Sequence, residues 1–415
     1  MVPAKRFGIK VPDYSIGMGP SLLRWTRGET TYNIRLLPIG GFVRLVGMFP
    51  PARPGQQVRA GRLAELMQNA RDDSNAELAP GEEHRAFYSK PVWQRLIIML
   101  GGPVMNLVIA AALFTLIFAG IGLPQSSTTI GTVVACVPTA TDPTGQGSIE
   151  GCGSAGVTPA ATIGMVAGDT IEQINSTPIG QWADIAKALE GLSAGTDVQL
   201  SVRSADGMLT IQTVALADLA YPEVDANGNP TGITLHRPFL GVTPGTEWLQ
   251  QPISAVPPAM WNMSQRAGAA LMSFPTALFE LGRSLFSGTE RNPEGPVSVI
   301  GVTRLSGDIA ASDLSLRAKA LEILGLAASL NLFLFLFNLL PVLPLDGGHA
   351  FAAIIEGIRR GWSRLLHRQD PGPIDTASLL PLTYLMTAIL LVSGLVVIVA
   401  DIIQDRKSTR LNSSH

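Results

Sequence analysis

The residues best suited to chemistry stand in one stretch, Asn331-Leu-Phe-Leu-Phe-Leu-Phe-Asn338-Leu-Leu-Pro341-Val-Leu-Pro344-Leu-Asp346-Gly347-Gly348-His349. Pro341 and Pro344 have no N–H to give a helix, so they break the backbone at one end of an apolar run, and an acid follows at once. A carboxylate at membrane depth is costly, which marks Asp346 as a functional charge. Asp also caps helices well, and a helix is expected over residues 350–358, so capping is the second role open to Asp346; the two are compatible. His349 either assists a site there or is solvated at a membrane surface. A second acidic stretch, Asp225-Ala-Asn-Gly-Asn-Pro230, starts like a calcium loop but has Pro where the loop needs Gly, and reads as a solvated turn.

Composition says what scaffold holds these residues. Of 415 residues, 46% are hydrophobic and 15% charged, and the mean hydropathy is +0.28; soluble domains carry about 25% charged residues. The shortfall is concentrated in three charge-free windows, residues 104–123, 323–345 and 379–400, each close to the ~20 residues that span a ~30 Å hydrocarbon core. The expected fold is therefore a polytopic α-helical membrane protein, with transmembrane helices over 96–123, 323–345 and 379–403. A soluble enzyme, a collagen or disordered chain and a small disulfide scaffold are excluded. The balance of 30 Lys+Arg against 32 Asp+Glu argues against nucleic acid as a partner.

Between the spans lie a segment over residues 1–95, a long one over 124–322 and a loop over 346–378. The first holds fourteen Lys and Arg, the second nine in twice the length, and Arg359, Arg360, Arg364 and Arg368 crowd the loop. The positive-inside bias places the first segment and the loop in the cytoplasm and the long segment outside. Cys136 and Cys152, the only cysteines, both fall in the outside segment, where an oxidising compartment lets them close a small loop; two unpaired buried thiols are the other reading.

Local patterns subdivide these segments. Residues 29–47 place β-branched and aromatic residues on both sides of residues 38–41, a hairpin signal. Residues 50–83 read as a cytoplasmic insert with a short helix around 63–70. Outside, strands are expected over 130–135 and 198–202, a turn and strand over 168–175 and a helix over 182–189. Apolar residues at helical spacing over 253–286 predict an amphipathic helix, lying on the bilayer or packed on its own domain.

These landmarks together resemble the site-2 protease family of intramembrane zinc metalloproteases, of the regulator of sigma-E protease type and its actinobacterial branch. Residues 338–347 are similar to the family's Asn-x-x-Pro and Leu-Asp-Gly motif; Gly102-Pro-Val-Met-Asn106 resembles the Gly-x-x-x-Asn motif of its second core helix. Arg6-Phe-Gly-Ile-Lys-Val and Ser15-Ile-Gly-Met-Gly-Pro resemble the stretch after its first catalytic helix, residues 32–47 its membrane-associated β-hairpin, residues 160–169 the start of a PDZ domain, and Gly295-Pro-Val-Ser-Val-Ile-Gly301 a segment before its third core helix. The proline spacing and the cysteine pair point to the actinobacterial branch.

The resemblance implies a PDZ-like α+β extracytoplasmic domain over residues 130–218, a further extracytoplasmic region over 219–322, Zn2+ as cofactor and Asp346 as a zinc ligand. It implies Asn106 and Asn338 as groups that position substrate backbone near the metal, helix–helix hydrogen bonding being their alternative use. The substrate implied is a single-span membrane protein such as an anti-sigma factor, its helix unwound and paired with the hairpin as an added strand. The PDZ-like region would bind a chain terminus or filter substrates by size. The protein is expected in the bacterial plasma membrane, multi-pass, with the lipid bilayer as a partner.

One departure stands out. The family's other two zinc ligands and its general base Glu come from a His-Glu-x-x-His helix, and His84, His236, His349, His367 and His415 never stand four residues apart. The sequence is expected to start just after that motif, from a start codon placed too late, and as it stands to be inactive. Residues 405–415 read as translated sequencing adapter and are left out of the expected fold. The competing function is a non-catalytic membrane adaptor that uses a PDZ-like domain; a transporter is disfavoured because three spans show no inverted repeat.

Overall fold

The computed structural model describes residues 1–51, 61–138, 152, 156–224, 230–287 and 296–412. The stretch expected as a solvated turn lies outside these residues at 225–229. The chain divides into two compact units, Met1–Phe118 with Pro252–His415, and Ala119–Gln251.

The first unit opens with α1 (Val2–Arg6), β1 (Asp13–Arg27), β2 (Thr30–Arg44) and α2 (Arg62–Asn75). The hairpin is larger than residues 29–47. Arg27 pairs with Thr30 across a tight turn, where Gly28 takes φ +63, a conformation glycine adopts freely. The two sides of residues 38–41 do not pair with each other: Asp13 to Ile16 lies between them, pairing with Thr31 to Ile34 on one edge and with Arg44 to Gly41 on the other. Pro38 and the following glycines turn β2 back, so the alternation read as one hairpin belongs to two edges of one sheet.

Among the described residues, three helices are long and apolar enough to cross a membrane: Val92–Ile121, Leu316–Asn338 and Thr376–Ile403. The first comprises α3 (Val92–Thr115) and a π-helical turn, Leu116–Ile121. After the second unit come α6 (Val256–Ser287), α7 (Val299–Ala311), α8 (Leu316–Asn338), α9 (Asp346–Leu365) and α10 (Leu380–Asn412). Several boundaries differ from expectation, α8 already starting at Leu316. The helix expected over 323–345 stops at Asn338, because Pro341 and Pro344 cannot donate to a continuing ladder. The first apolar helix starts before residue 96 and takes in Arg95, whose charge is met by an acid far along the chain.

The expected amphipathic helix is present as α6, and its two faces differ. Leu281 packs with Val397 and Ala400 of α10, while Trp261, Met272 and Phe279 are exposed. The N-terminus of α7 is held by Ser298, which accepts from the N–H groups of Ile300 and Gly301 and donates, through its own N–H, to Asp401 at 2.8 Å.

In the second unit, α4 (Pro159–Thr162) and α5 (Trp182–Leu189) accompany an antiparallel sheet. Its strands are β3 (Leu123–Val133), β4 (Thr170–Ile174), β5 (Thr177–Pro178), β6 (Asp197–Arg203), β7 (Leu209–Ala215) and β10 (Val242–Leu249). They run in the order β10-β3-β4-β6-β7, with β5 beside β4. β8 (Ala217–Val224) and β9 (Pro230–Phe239) form a separate hairpin. Val198, Leu200 and Val202 of β6 turn inward at every second residue and meet Ile171, Ile174, Ile185 and Leu189 in one core, the period expected of a sheet with one buried face. The helix over 182–189 and the strand over 198–202 lie where the sequence patterns place them. Cys136 and Cys152 are joined by a disulfide with Cα atoms 5.2 Å apart.

Candidate functional site

The site is assembled where α3, α8 and α9 pack together. α8 ends at Asn338, and the connection through Pro341 and Pro344 folds back on the first turn of α9, with Leu345 N–H donating to Val342 at 2.9 Å and Gly348 N–H to Leu345 at 3.0 Å. The two glycines after the acid permit this. A Cβ on Gly347 would run into the carbonyl oxygen of Leu340, and one on Gly348 would lie 2.7 Å from the Leu343 nitrogen, inside any normal carbon–nitrogen contact. The Asp-Gly-Gly sequence thus fixes where the Asp346 side chain leaves the turn.

Asp346 is not the cap of α9. Leu345 occupies that place, and no side chain caps the helix. The carboxylate instead faces α3, where a Cβ built on Gly102 would lie 3.4 Å from Asp346 Oδ2. Half-buried and without an ion pair or hydrogen bond among the described residues, it has its lone pairs free to act as a metal donor. Burial pushes the Asp346 carboxyl above the usual carboxylate range and the His349 imidazole, one turn further along, below its own. The positive end of the α9 dipole works against the first of these shifts.

Asn106 lies four residues beyond Gly102, one turn up the same side of α3, and Asn338 is the last residue of α8. Both are half-buried. Neither amide makes a hydrogen bond to another helix among the described residues, so the alternative of helix–helix bonding finds no support in the geometry.

The helices that carry these residues are locked by groups that sequence patterns did not single out. Arg95, near the start of α3, forms a buried ion pair with Glu356 on α9. Glu356 also takes Arg360 at 3.0 Å and accepts the N–H of Ile374 at 3.1 Å. Arg71 on α2 pairs with Asp375 at 2.6 Å. Met48, Tyr88, Arg95, His349, Glu356 and Thr376 line a small cavity beside this junction, which puts His349 on the same cavity wall as the ion pair. The one available signal was Glu356 itself, an acid amid a run of apolar residues and glycine in the middle of α9; its partner stands 261 positions away, beyond any local pattern.

The zinc fit is incomplete. Among the described residues no group of three His, Cys, Asp or Glu could hold a metal ion. His84 contacts the Gly81 carbonyl oxygen and His236 pairs with Asp218. Asp346 is a single donor, so the described residues do not by themselves fit a zinc site, which takes three protein ligands when catalytic.

Residues 1–366 match the family model described as Peptidase family M50. The chain is similar to the zinc metalloprotease Rip1 of Mycobacterium tuberculosis (strain ATCC 25618 / H37Rv), at 28% identity over 403 residues, covering 96% of this chain and 91% of that one. Rip1 of Mycolicibacterium smegmatis is 29% identical over 410 residues, with the same coverage of 96% and 91%. The regulator of sigma-W protease RasP of Bacillus subtilis is 24% identical over 408 residues, covering 86% of this chain and 85% of its own. Among solved structures, the PDZ domain of the SdrC-like protein from Listeria innocua matches 29% of this chain and 99% of its own, at 15% identity and a TM-score of 0.15, a likeness that by itself says nothing of the fold.

Proposed function

The chain belongs to Peptidase family M50, and from that premise we propose that it cuts a single-span membrane protein, with an anti-sigma factor as the substrate class, inside its membrane-spanning segment. As a member of that family it is a metalloendopeptidase with Zn2+ as cofactor, which supports the protease reading over the PDZ adaptor. The observation that carries the reading is the unpartnered Asp346 carboxylate set against Gly102. An adaptor has no use for a half-buried acid with neither cap nor counter-ion, because such a group costs free energy and returns no contact. The substrate class is supported by the similarity to RasP, whose name makes it a regulator of sigma-W.

Asp346 is the protein donor this chain offers to zinc. Asn106 and Asn338, each with a free amide, hold the backbone of an unwound substrate, and the sheet edges of β1 and β2 pair with it as an added strand. The protein is a multi-pass protein of the bacterial plasma membrane. Residues 130–218, within the unit Ala119–Gln251, form a PDZ-like domain on the extracytoplasmic side; the basic residues of 1–95 and the disulfide between Cys136 and Cys152 support that orientation.

The test is cleavage of a single-span reporter in cells that express the chain with a His-Glu-x-x-His helix fused in frame ahead of Met1. A fragment cut within the span, lost on Asp346→Asn, is the expected result. A fused protein that inserts, binds zinc and leaves every single-span reporter intact overturns the proposal.

A further inference from the structure

The six-stranded sheet of the second unit ends on β7, and among the described residues that edge is open. β7 pairs with β6 on one side, from Leu209 with Arg203 to Ala215 with Asp197, and no strand follows it in the order. Ser204 N–H donates to the Met208 carbonyl at 2.9 Å at one end of this pair, and Leu216 N–H to the Thr196 carbonyl at 3.0 Å at the other. Bonded and non-bonded residues alternate in an antiparallel pair, so the even-numbered residues of β7 bond to β6, while Leu209, Ile211 and Thr213 turn their N–H and C=O groups outward. The same three residues are exposed, Leu209 at 48% and Ile211 at 61%. Val214 and Leu216 join the core with Ala160 of α4, which leaves Leu209 to Thr213 as the open part. Edges of this kind are ordinarily blunted by a charge, a proline or a bulge. β7 reads Leu-Thr-Ile-Gln-Thr-Val-Ala, with neither charge nor proline, and pairs without a register shift.

Charge says what covers the edge. Residues 119–251 hold twelve Asp and Glu against three Lys and Arg. The three bases are already engaged, Lys187 with Asp184, Arg203 with Glu172 and Arg237 over the Tyr221 ring. Asp206, in the turn before β7, and Asp197, opposite Ala215, stand exposed at the two ends of the edge, with no ion-pair partner among the described residues. This surplus repels both a second copy of the unit and an anionic lipid surface, so the complement is a basic chain. We propose that the open edge of β7 docks an extended basic polypeptide segment. The segment adds as a strand through the backbone groups of Leu209, Ile211 and Thr213, covers the two apolar side chains with its own, and sets Lys or Arg against Asp206 and Asp197. The proposal stands on the second unit alone and needs neither cleavage nor the membrane reading.

The test uses the full chain in detergent and two labelled peptides, Lys-Val-Thr-Val-Thr-Val-Lys and the same sequence with Glu for both Lys. Fluorescence anisotropy gives Kd, and hydrogen exchange read by mass spectrometry follows residues 209–215. The expected result is saturable binding of the Lys peptide with slowed exchange in 209–215, and a Kd at least about tenfold lower than that of the Glu peptide, a gap that shrinks as salt is added. A Lys peptide N-methylated at two consecutive central residues, which spoils both edges of its strand, is expected not to bind. Leu209→Lys with Ile211→Lys blunts the edge and should weaken binding at least about tenfold. Should that variant not fold, Asp197→Asn with Asp206→Asn removes the end charges and should narrow the gap between the two peptides. Equal affinity for the two peptides, binding of the N-methylated peptide, a gap unchanged by the Asn pair, or binding that leaves exchange in 209–215 as it was overturns the proposal. So does slowed exchange in 209–215 that appears without peptide as the chain is concentrated, which would make the edge a contact between copies.

Discussion

The Asp346 carboxylate lies against the bare backbone of Gly102, so near that a single added methyl would come within 3.4 Å of Oδ2. That distance is ordinary van der Waals contact for one carbon, and a β-branched side chain puts further bulk beside the carboxylate. Gly102→Ala is therefore expected to stay within a few-fold of the parent in the fused reporter assay, while Gly102→Val loses about a hundredfold or more, as a displaced catalytic group does. Both variants should melt within about 1 kcal/mol of each other. A valine variant with full activity would show that Asp346 does not need this place.

Because Asp346 makes no capping bond in α9, Asp346→Asn has nothing structural to remove. The change is expected to leave stability within about 0.5 kcal/mol, the usual range for a substitution away from a specific contact, and to eliminate cleavage by the fused protein. Thermal melts in detergent read the first and the reporter reads the second. A substantial loss of stability would return Asp346 to a structural role.

How far the sequence foretold this arrangement differed from element to element. Trp182–Leu189 could be read because its apolar spacing is local, and β6 because Val198, Leu200 and Val202 alternate. The backbone break before Asp346 could be read because Pro341 and Pro344 precede it. The end of α8 was drawn seven residues too far, since hydropathy over 339–345 is blind to what Pro341 and Pro344 do to the backbone. The hairpin was misread because its central partner, Asp13 to Ile16, sits in a glycine-rich stretch with no clear alternation. The start of α3 was missed because a charge-free window must avoid Arg95, and only the fold brings Glu356 to it.

The disulfide between Cys136 and Cys152 closes a loop with a sequence separation of 16. Constraint of the unfolded chain by a loop of that size is worth roughly 3 kcal/mol. Cys136→Ser with Cys152→Ser is expected to lower the stability of the second unit by about that amount, and alkylation of the parent should add mass only after reduction. Equal labelling with and without reductant would refute the bond.

The last prediction concerns the lock between α3 and α9. Arg95 and Glu356 have side chains only 7% and 2% exposed, so removing Glu356 strands the buried Arg95 charge, whereas removing Arg95 leaves Glu356 with Arg360. Glu356→Leu alone is expected to cost about 3–5 kcal/mol and Arg95→Leu alone less. The double change to Leu removes both charges together and should recover most of that loss, since apolar replacement of a buried pair is often neutral or stabilising. Activity is expected to behave differently from stability. The ion pair fixes the register of α9 on α3, and with it the approach of Asp346 to Gly102, while two leucines pack without a preferred register. The double variant should therefore melt near the parent yet cleave the reporter at least about tenfold more slowly, with the loss in kcat rather than KM. Full activity in the double variant would reduce the pair to a packing element and leave the register to Gly347 and Gly348.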